Sequence, residues 1–482
     1  MATEAEERLK KLEWFKKQKI DPYPYSFNVK NKIEDLRKSF SKYKNKKTII
    51  AGRLTAIRGH GKAVFADIED STGKIQLLVR IDVTGKKQFE IFQHLDRGDI
   101  VGVEGTLMKS KRGEMTIQVK KITLLCKCVA PLPDSWTGVK DKEIRYRKRY
   151  LDLIINPDVK KIFITRTKII NAIREFLDKR GYLEVQTPIL QSIYGGAAAT
   201  PFRTHLNHLN MNIYLRTADE LYLKRLIVGG FEKVYEFGKD FRNESIDSTH
   251  NPEFTQLEIY TAYIDYKGVA KLFQDIMKYV CKKVVGTTEI TYQGKKLDFG
   301  KWEQISMVDA IKKYAKINVK GKSLVELKKI ANDNNIEIPK SPTVGKLIST
   351  IHEELAESKI VKPTLVMDYP IETTPLCKPL RKGDKNFVER FEPIAAGMEL
   401  GNAYSELNDA KLQEKLLRDQ VKERKNTDEP WTSDLDKDFI SSLEYGMPPT
   451  GGIGIGIDRI VMLLTDRPYI REVIFFPFMK PE

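Results

Sequence analysis

Residues 241–254 read FRNESIDSTHNPEF, a charged stretch set between two strand-like runs, KVYEFGKDFR and FTQLEIYTAYIDY. Arg242 and Glu244 open it, His250, Asn251 and Pro252 make a polar turn, and Glu253 and Phe254 close it. By composition alone it is a solvated hairpin tip. Strand parity adds a second reading, because side chains two apart share a face. Asp240, Arg242 and Glu244 then line one arm, and Phe254, Gln256, Glu258 and Tyr260 line the other. If both faces look into a cavity, the hairpin offers a guanidinium, a flat ring and carboxylates together. That set suits an aromatic base, a phosphate, and amines or a metal.

Working outward, helical periodicity in TRTKIINAIREFLDKRGYLEV alternates with strand-like NIYLRTA, PTLVMDYP, FEPIAAGMELGNAYSEL and GGIGIGID. Strands following strands, with helices between groups, predict an α+β domain on a largely antiparallel sheet flanked by helices, over residues 158–482. Before it, residues 47–130 carry five short alternating runs broken by glycine, which predict a small OB-like β-barrel. Residues 1–46 read as a helical extension, with Leu9, Leu12, Trp14 and Phe15 on one face. Residues 131–157 begin with prolines and read as a linker leading into a helix.

The chain has 482 residues and a net charge of +17. Of this, +15 falls within residues 1–150, which points to a polyanionic partner for the N-terminal part. No apolar run approaches the roughly 18–20 residues that span a bilayer. The first twenty residues hold four glutamates and one arginine, unlike a secretory or transit segment, so a cytoplasmic location with no membrane partner is expected. Cys126, Cys128, Cys281 and Cys377 form neither a disulfide framework nor a zinc pattern, so no zinc is expected.

Two common phosphate binders are excluded. Gly452, Gly454 and Gly456 miss the G-x-G-x-x-G spacing, because position 457 is isoleucine, and no βαβ unit follows. A P-loop ending at Gly321-Lys322-Ser323 would need glycine where Lys316 stands. Arg459, after the glycine-rich strand and at the start of a helix, is placed to meet a phosphate.

Three segments together carry a family resemblance: FLDKRGYLEVQTPIL around Pro188, the hairpin within 235–260, and GIGIGIDRIVMLL within 451–464. They resemble motifs 1, 2 and 3 of the class II aminoacyl-tRNA synthetases, in the family's order. The preceding OB-like barrel resembles the anticodon-binding domain of the aspartyl, asparaginyl and lysyl subgroup. Within it, the acids Glu220, Glu258 and Glu406, with GGAAATPF at 195–202, resemble the lysyl-tRNA synthetases.

This resemblance implies ATP-dependent activation of L-lysine to lysyl-adenylate and transfer to tRNA(Lys). Arg242 and Arg459 would be the catalytic cations. Glu244, His250, Asn251 and Phe254 would border ATP, and Glu392 and Glu399 would bind magnesium with it; no organic cofactor is implied. Gly196, Glu220, Arg242, Glu258, Tyr260, Asn402, Tyr404 and Glu406 would hold lysine. Arg58, Phe65, Gln76 and Glu114 would read the anticodon. The family implies a homodimer, with Pro188 shaping an interface strand, and membership of a larger synthetase assembly is compatible with it. Diadenosine tetraphosphate synthesis is implied as a side reaction. Tyr194, Thr200 and Asp219 depart from the family pattern around the loop over lysine. A tRNA-binding relative without catalysis is the alternative; the intact Arg242, Phe254, Glu392, Glu399 and Arg459 argue against it.

Overall fold

The computed structural model describes residues 3–59, 61–133, 141–197, 199–425 and 435–481. Its contacts divide the chain into two compact units, Met1–Lys140 and Asp141–Glu482.

In the first unit five strands close a barrel, in the order Lys47–Arg58, Ala63–Glu69, Lys74–Arg80, Met115–Cys126, Ile100–Lys109. One pair is parallel, Lys74–Arg80 with Met115–Cys126, and the rest are antiparallel. Alternate residues point inward, so Leu54, Ala66, Ile68, Leu77, Val103 and Ile117 fill the interior. The N-terminal helices belong to the same unit. Helix Glu4–Lys17 starts with a capping box between Thr3 and Glu6 and buries Arg8, Leu12 and Phe15. Trp14 stacks on His94 at 3.6 Å between ring centroids, and the Arg8 guanidinium donates to the carbonyls of Arg97 and Cys128. Leu9, expected on the packed face, is exposed.

In the second unit a nine-stranded sheet runs Glu303–Ser306, Thr364–Pro370, Phe387–Ala395, Gly401–Ser405, Thr450–Gly456, Glu253–Ala262, Lys233–Phe241, Leu183–Glu184, with Met398–Glu399 paired beside Phe387–Ala395. Both end pairs are parallel and everything between is antiparallel. One face carries Tyr235, Leu257, Ile259, Ile453, Ile455, Ala403 and Phe391 into the main core under helices Pro157–Asp178, Tyr266–Val280 and Ile457–Leu464.

The linker expectation needs correction. Helices Lys142–Arg147 and Arg149–Ile155 belong to the second unit. Arg149 is fully buried, paired with Asp152 at 2.6 Å and donating to the carbonyls of Arg471, Ile474 and Phe475. A guanidinium's five donors allow one buried side chain to satisfy several chain-end carbonyls at once. The linker's residues 134–140 lie outside the described residues.

Candidate active site

The opposite face of the large sheet is polar, and register explains why. Gly238 pairs with Gln256 and Gln256 with Gly456; Glu258 pairs with Gly454 and Gly454 with Asn402. Tyr260 pairs with Gly452, Gly452 with Tyr404 and Tyr404 with Arg390. Opposed residues project to the same side, so this face alternates large polar side chains with bare glycine. A Cβ on Gly454 would lie 2.3 Å from Glu258 Oε1, and one on Gly452 would lie 2.3 Å from Glu406 Oε1 and 2.5 Å from the Tyr260 ring. The glycine-rich strand is therefore a floor over which neighbouring side chains fold. Gly454→Ala overpacks that floor, and overpacking costs about 1–3 kcal/mol. Urea unfolding is expected to show that loss as a midpoint shifted to lower denaturant with an unchanged slope.

Two cavities adjoin on this face. One of about 260 Å³ is lined by Gly196, Glu220, Arg242, Glu258, Tyr260, Asn402, Tyr404 and Gly452 among others. The second, about 200 Å³, is lined by Arg242, Glu244, His250, Asn251, Phe254, Glu399 and Arg459 among others. Arg242, Gln256, Asn402 and Gly454 belong to both. Arg242 lies just past the strand, which ends at Phe241, so the parity expected of Arg242 and Glu244 does not arise from the strand itself. Its N–H donates to Pro252 O at 2.9 Å, its Nε to Thr217 O at 3.4 Å, and its guanidinium sits 5.1 Å from the Phe254 ring centroid.

The first cavity is acidic. Glu258 is buried; its Oε1 accepts from Gln256 Nε2 at 3.2 Å and its Oε2 from the Tyr260 hydroxyl at 3.3 Å. Burial, then Asp219 and Glu220, push its pKa well up. Glu220 lines the cavity, and its Oε1 lies 2.5 Å from Lys224 Nζ. Glu406 is not part of the lining; its Oε1 fills the space over the lining glycine Gly452, and its Oε2 is 2.5 Å from the same Nζ.

In the second cavity the turn is ordered by Asp247, whose Oδ1 accepts the N–H groups of Thr249 at 2.7 Å and His250 at 2.8 Å. His250 Nδ1 lies 2.8 Å from Asp247 Oδ2 and its Nε2 3.0 Å from Arg459 Nη2. Because Arg459 only donates, Nε2 must accept there and Nδ1 carries the proton. Arg459 Nη1 also donates to Glu399 O at 2.7 Å. Asn251 Nδ2 donates to Glu253 O at 2.6 Å, while its Oδ1 is buried without a partner.

The expected metal pair is only half in the cavity. Glu399 lines it, whereas Glu392 lies outside the lining, accepting from the Tyr369 hydroxyl at 2.6 Å and from Arg390. The two still sense each other: after burial, Glu392 is the largest influence raising the Glu399 pKa. No group of three or more metal-ligating side chains occurs among the described residues. Glu399 presents a hard carboxylate to the cavity, which fits a magnesium whose remaining ligands come from phosphate oxygens and water.

The chain matches the family described as tRNA synthetases class II (D, K and N) over residues 141–480 and the OB-fold nucleic acid binding domain over 48–125. It is 48% identical over 477 residues to a lysine–tRNA ligase of Moorella thermoacetica, covering 98% of this chain and 97% of that one. A lysine–tRNA ligase of Thermoanaerobacter sp. is 50% identical over 479 residues, covering 98% and 95%. One of Clostridium perfringens is 48% identical over 493 aligned residues, covering 99% and 98%. The chain belongs to the lysine–tRNA ligase family of class II synthetases.

Within this synthetase, several site residues escaped the sequence reading. Lys224 and Glu220 are four apart in ELYLK, a pattern that ordinarily marks a solvated helix pair. Gln256 and Arg390 were reachable by strand parity and were given no role. Arg216 is fully buried, 2.7 Å from Glu236 and 3.1 Å from Asp240, with Asp219 at 3.9 Å. Burial, then Asp240, raise the Asp219 pKa well above the usual carboxylate range. Of the other departures, Tyr194 is buried against Tyr214 at 5.0 Å between centroids. Thr200 meets the hairpin through its backbone, donating its N–H to Glu244 Oε1 at 3.2 Å and accepting from Asn243 N–H at 2.8 Å.

On the synthetase's barrel, register gathers the four expected readers onto one face: Arg58 pairs with Phe65, and Gln76 with Thr116. Gln76 Nε2 donates to Glu114 Oε2 at 3.1 Å and its Oε1 accepts from Thr116 Oγ1 at 2.9 Å, which pins the amide. Asp67, unremarked in the sequence, is buried and holds Arg58 at 2.8 Å and Lys74 at 3.0 Å. Phe65 is half-buried beside Arg58, its partner in the register.

Proposed function

We infer that the chain activates L-lysine with ATP and transfers it to tRNA(Lys) for protein synthesis, and that the two adjoining cavities are its lysine and ATP sites. The observation that carries the site assignment is Arg242 standing at their junction, with an acidic cavity on one side and Phe254 and Arg459 on the other.

Lysine enters with its ammonium groups toward Glu220 and Glu258 and its carboxylate toward Arg242. Adenine stacks on Phe254, and the partnerless Asn251 Oδ1 is available to a base amine. The carboxylate oxygen attacks the α-phosphorus in line, and pyrophosphate leaves toward Arg459. Arg242 neutralises the charge that develops between the reactants, and its placement converts two bound molecules into one reacting pair. A ribose hydroxyl at the tRNA 3′ end then attacks the mixed anhydride, releasing AMP. Glu399, with Glu392 beside it, would hold magnesium, which would supply neutralisation of ATP's phosphate charge when bound. No side chain is needed as a covalent nucleophile.

Lysine-dependent ATP–pyrophosphate exchange tests this reading; exchange supported by aspartate or asparagine instead would overturn it. The barrel face Arg58, Phe65, Gln76 and Glu114 is proposed to take the anticodon. Stacking contributes about 1–3 kcal/mol per base, so Phe65→Ala is expected to raise the tRNA KM about 5- to 150-fold in aminoacylation while tRNA-independent exchange is unchanged. A homodimer is proposed through the segment around Pro188, where Leu183, Ile189 and Leu190 are exposed apolar side chains. Among the described residues no helix is long and apolar enough to cross a membrane.

A further inference from the structure

Lys224 is fully buried, and its ammonium lies 2.5 Å from both Glu220 Oε1 and Glu406 Oε2. Neither Lys224 nor Glu406 lines the cavity, so this ammonium is embedded in the wall and stays out of reach of a ligand. Desolvation alone would neutralise it, but the two carboxylates more than reverse that and hold it charged. Glu258 and Tyr260 face the cluster from the hairpin, Tyr404 from the neighbouring strand, and the Cys377 thiol from the segment bridged to Glu406. Asp219 lies 3.9 Å from the buried Arg216, and Arg390 is paired with Glu392.

With Glu220, Glu258 and Glu406 ionised, Lys224 leaves the wall with two net negative charges. Lysine brings two ammonium groups once its carboxylate is met by Arg242. Without Lys224 the count would be three against two, and a buried uncompensated charge is strongly unfavourable. We propose that Lys224 is a positioning and specificity-determining residue that sets the charge of the amino-acid pocket to match a doubly cationic amino acid while never touching it. This rests on the cavity assignment given above.

Burial and Glu220 outweigh Lys224 at Glu406, whose pKa is pushed up to about 8, and burial pushes Glu258 up as well, so the empty cluster carries a proton load near neutrality. A bound dication expels it. Lysine binding therefore releases a proton around pH 7, and affinity weakens as pH falls below about 8.

The test uses the full-length enzyme. Lys224→Met is expected to raise the lysine KM in pyrophosphate exchange by about 100-fold, with the ATP KM unchanged, and to alter the pH profile of the lysine KM. Lys224→Ala is expected to regain activity with n-propylammonium and not with n-propanol, because the missing element is a charge. Calorimetry of lysine binding to the unaltered enzyme, in buffers of different ionisation enthalpy, should show proton release. A Lys224→Met enzyme with normal lysine KM and pH profile, rescue by propanol as well as propylammonium, or binding without proton release would each overturn the proposal. Glu258→Gln run in parallel separates the two levels. If it leaves the lysine KM unchanged, the cavity assignment fails; if it raises the KM and Lys224→Met does not, only the role of Lys224 fails.

Discussion

Arg242→Ala is expected to lower kcat/KM for lysine-dependent pyrophosphate exchange by about 100- to 1000-fold, the usual cost of removing one preorganised charge-stabilising donor. The loss should appear mainly in kcat, because the guanidinium's largest contribution comes as charge moves between carboxylate and phosphate. Fold should survive: Arg242 is half-buried, its side chain makes one long hydrogen bond to Thr217 O, and its backbone link to Pro252 is independent of the side chain. Arg242→Lys is not expected to rescue fully, since an ammonium cannot bridge two oxygens in a plane while lying over Phe254. Retention of kcat in the alanine variant would remove Arg242 from the reaction.

Glu258→Gln is the second large effect. The side chain keeps its shape over Gly454 and loses only the charge facing the substrate ammonium. Truncating one partner of a buried charge pair costs about 2–5 kcal/mol, which corresponds to a lysine KM raised about 30- to 4000-fold. ATP affinity should be unchanged, because Glu258 lines only the amino-acid cavity. Thermal stability of the empty enzyme should hold or rise, since a buried carboxylate whose ionisation burial and Asp219 already oppose has been replaced by a neutral amide. A parallel loss of ATP and lysine affinity, or a large drop in melting temperature, would place Glu258 in the scaffold rather than in recognition.

Parts of the site were legible because they depend on local chain geometry. Gln256, Glu258 and Tyr260 share a face through the two-residue period of a strand, and Phe254 joins them at its start. The glycines at 452, 454 and 456 were correctly excluded as a dinucleotide loop, yet their purpose was invisible: the spacing says where side chains are missing, and only the neighbouring strands say what folds into the gaps. Glu406 was read as a pocket wall; it sits buried over the lining glycine Gly452 and is tied to Lys224. Glu392 was read as open to metal and is engaged by Tyr369 and Arg390, which arrive from elsewhere on the sheet.

The linker shows the same limit. Arg149 falls in the stretch read as a linker leading into a helix, but it is buried by carbonyls from Arg471 to Phe475, over 320 residues away. Sequence proximity carries no information about such a partner.

What the sequence determined by itself was the order of elements, the hairpin with its candidate base-stacking ring and cations, and the basic N-terminal barrel, with the acids of the proposed amino-acid site supplied through the family resemblance. Periodicity, turn chemistry and charge are local quantities, and they survive without a fold. The tertiary structure alone decided which charges meet. Glu220 and Lys224 would be an ordinary exposed helix pair if Glu406, nearly two hundred residues on, were not brought to the same ammonium in a place without water. The low dielectric of that burial turns a weak surface pair into a strong constraint on the pocket's charge, and burial is a property of the whole sheet.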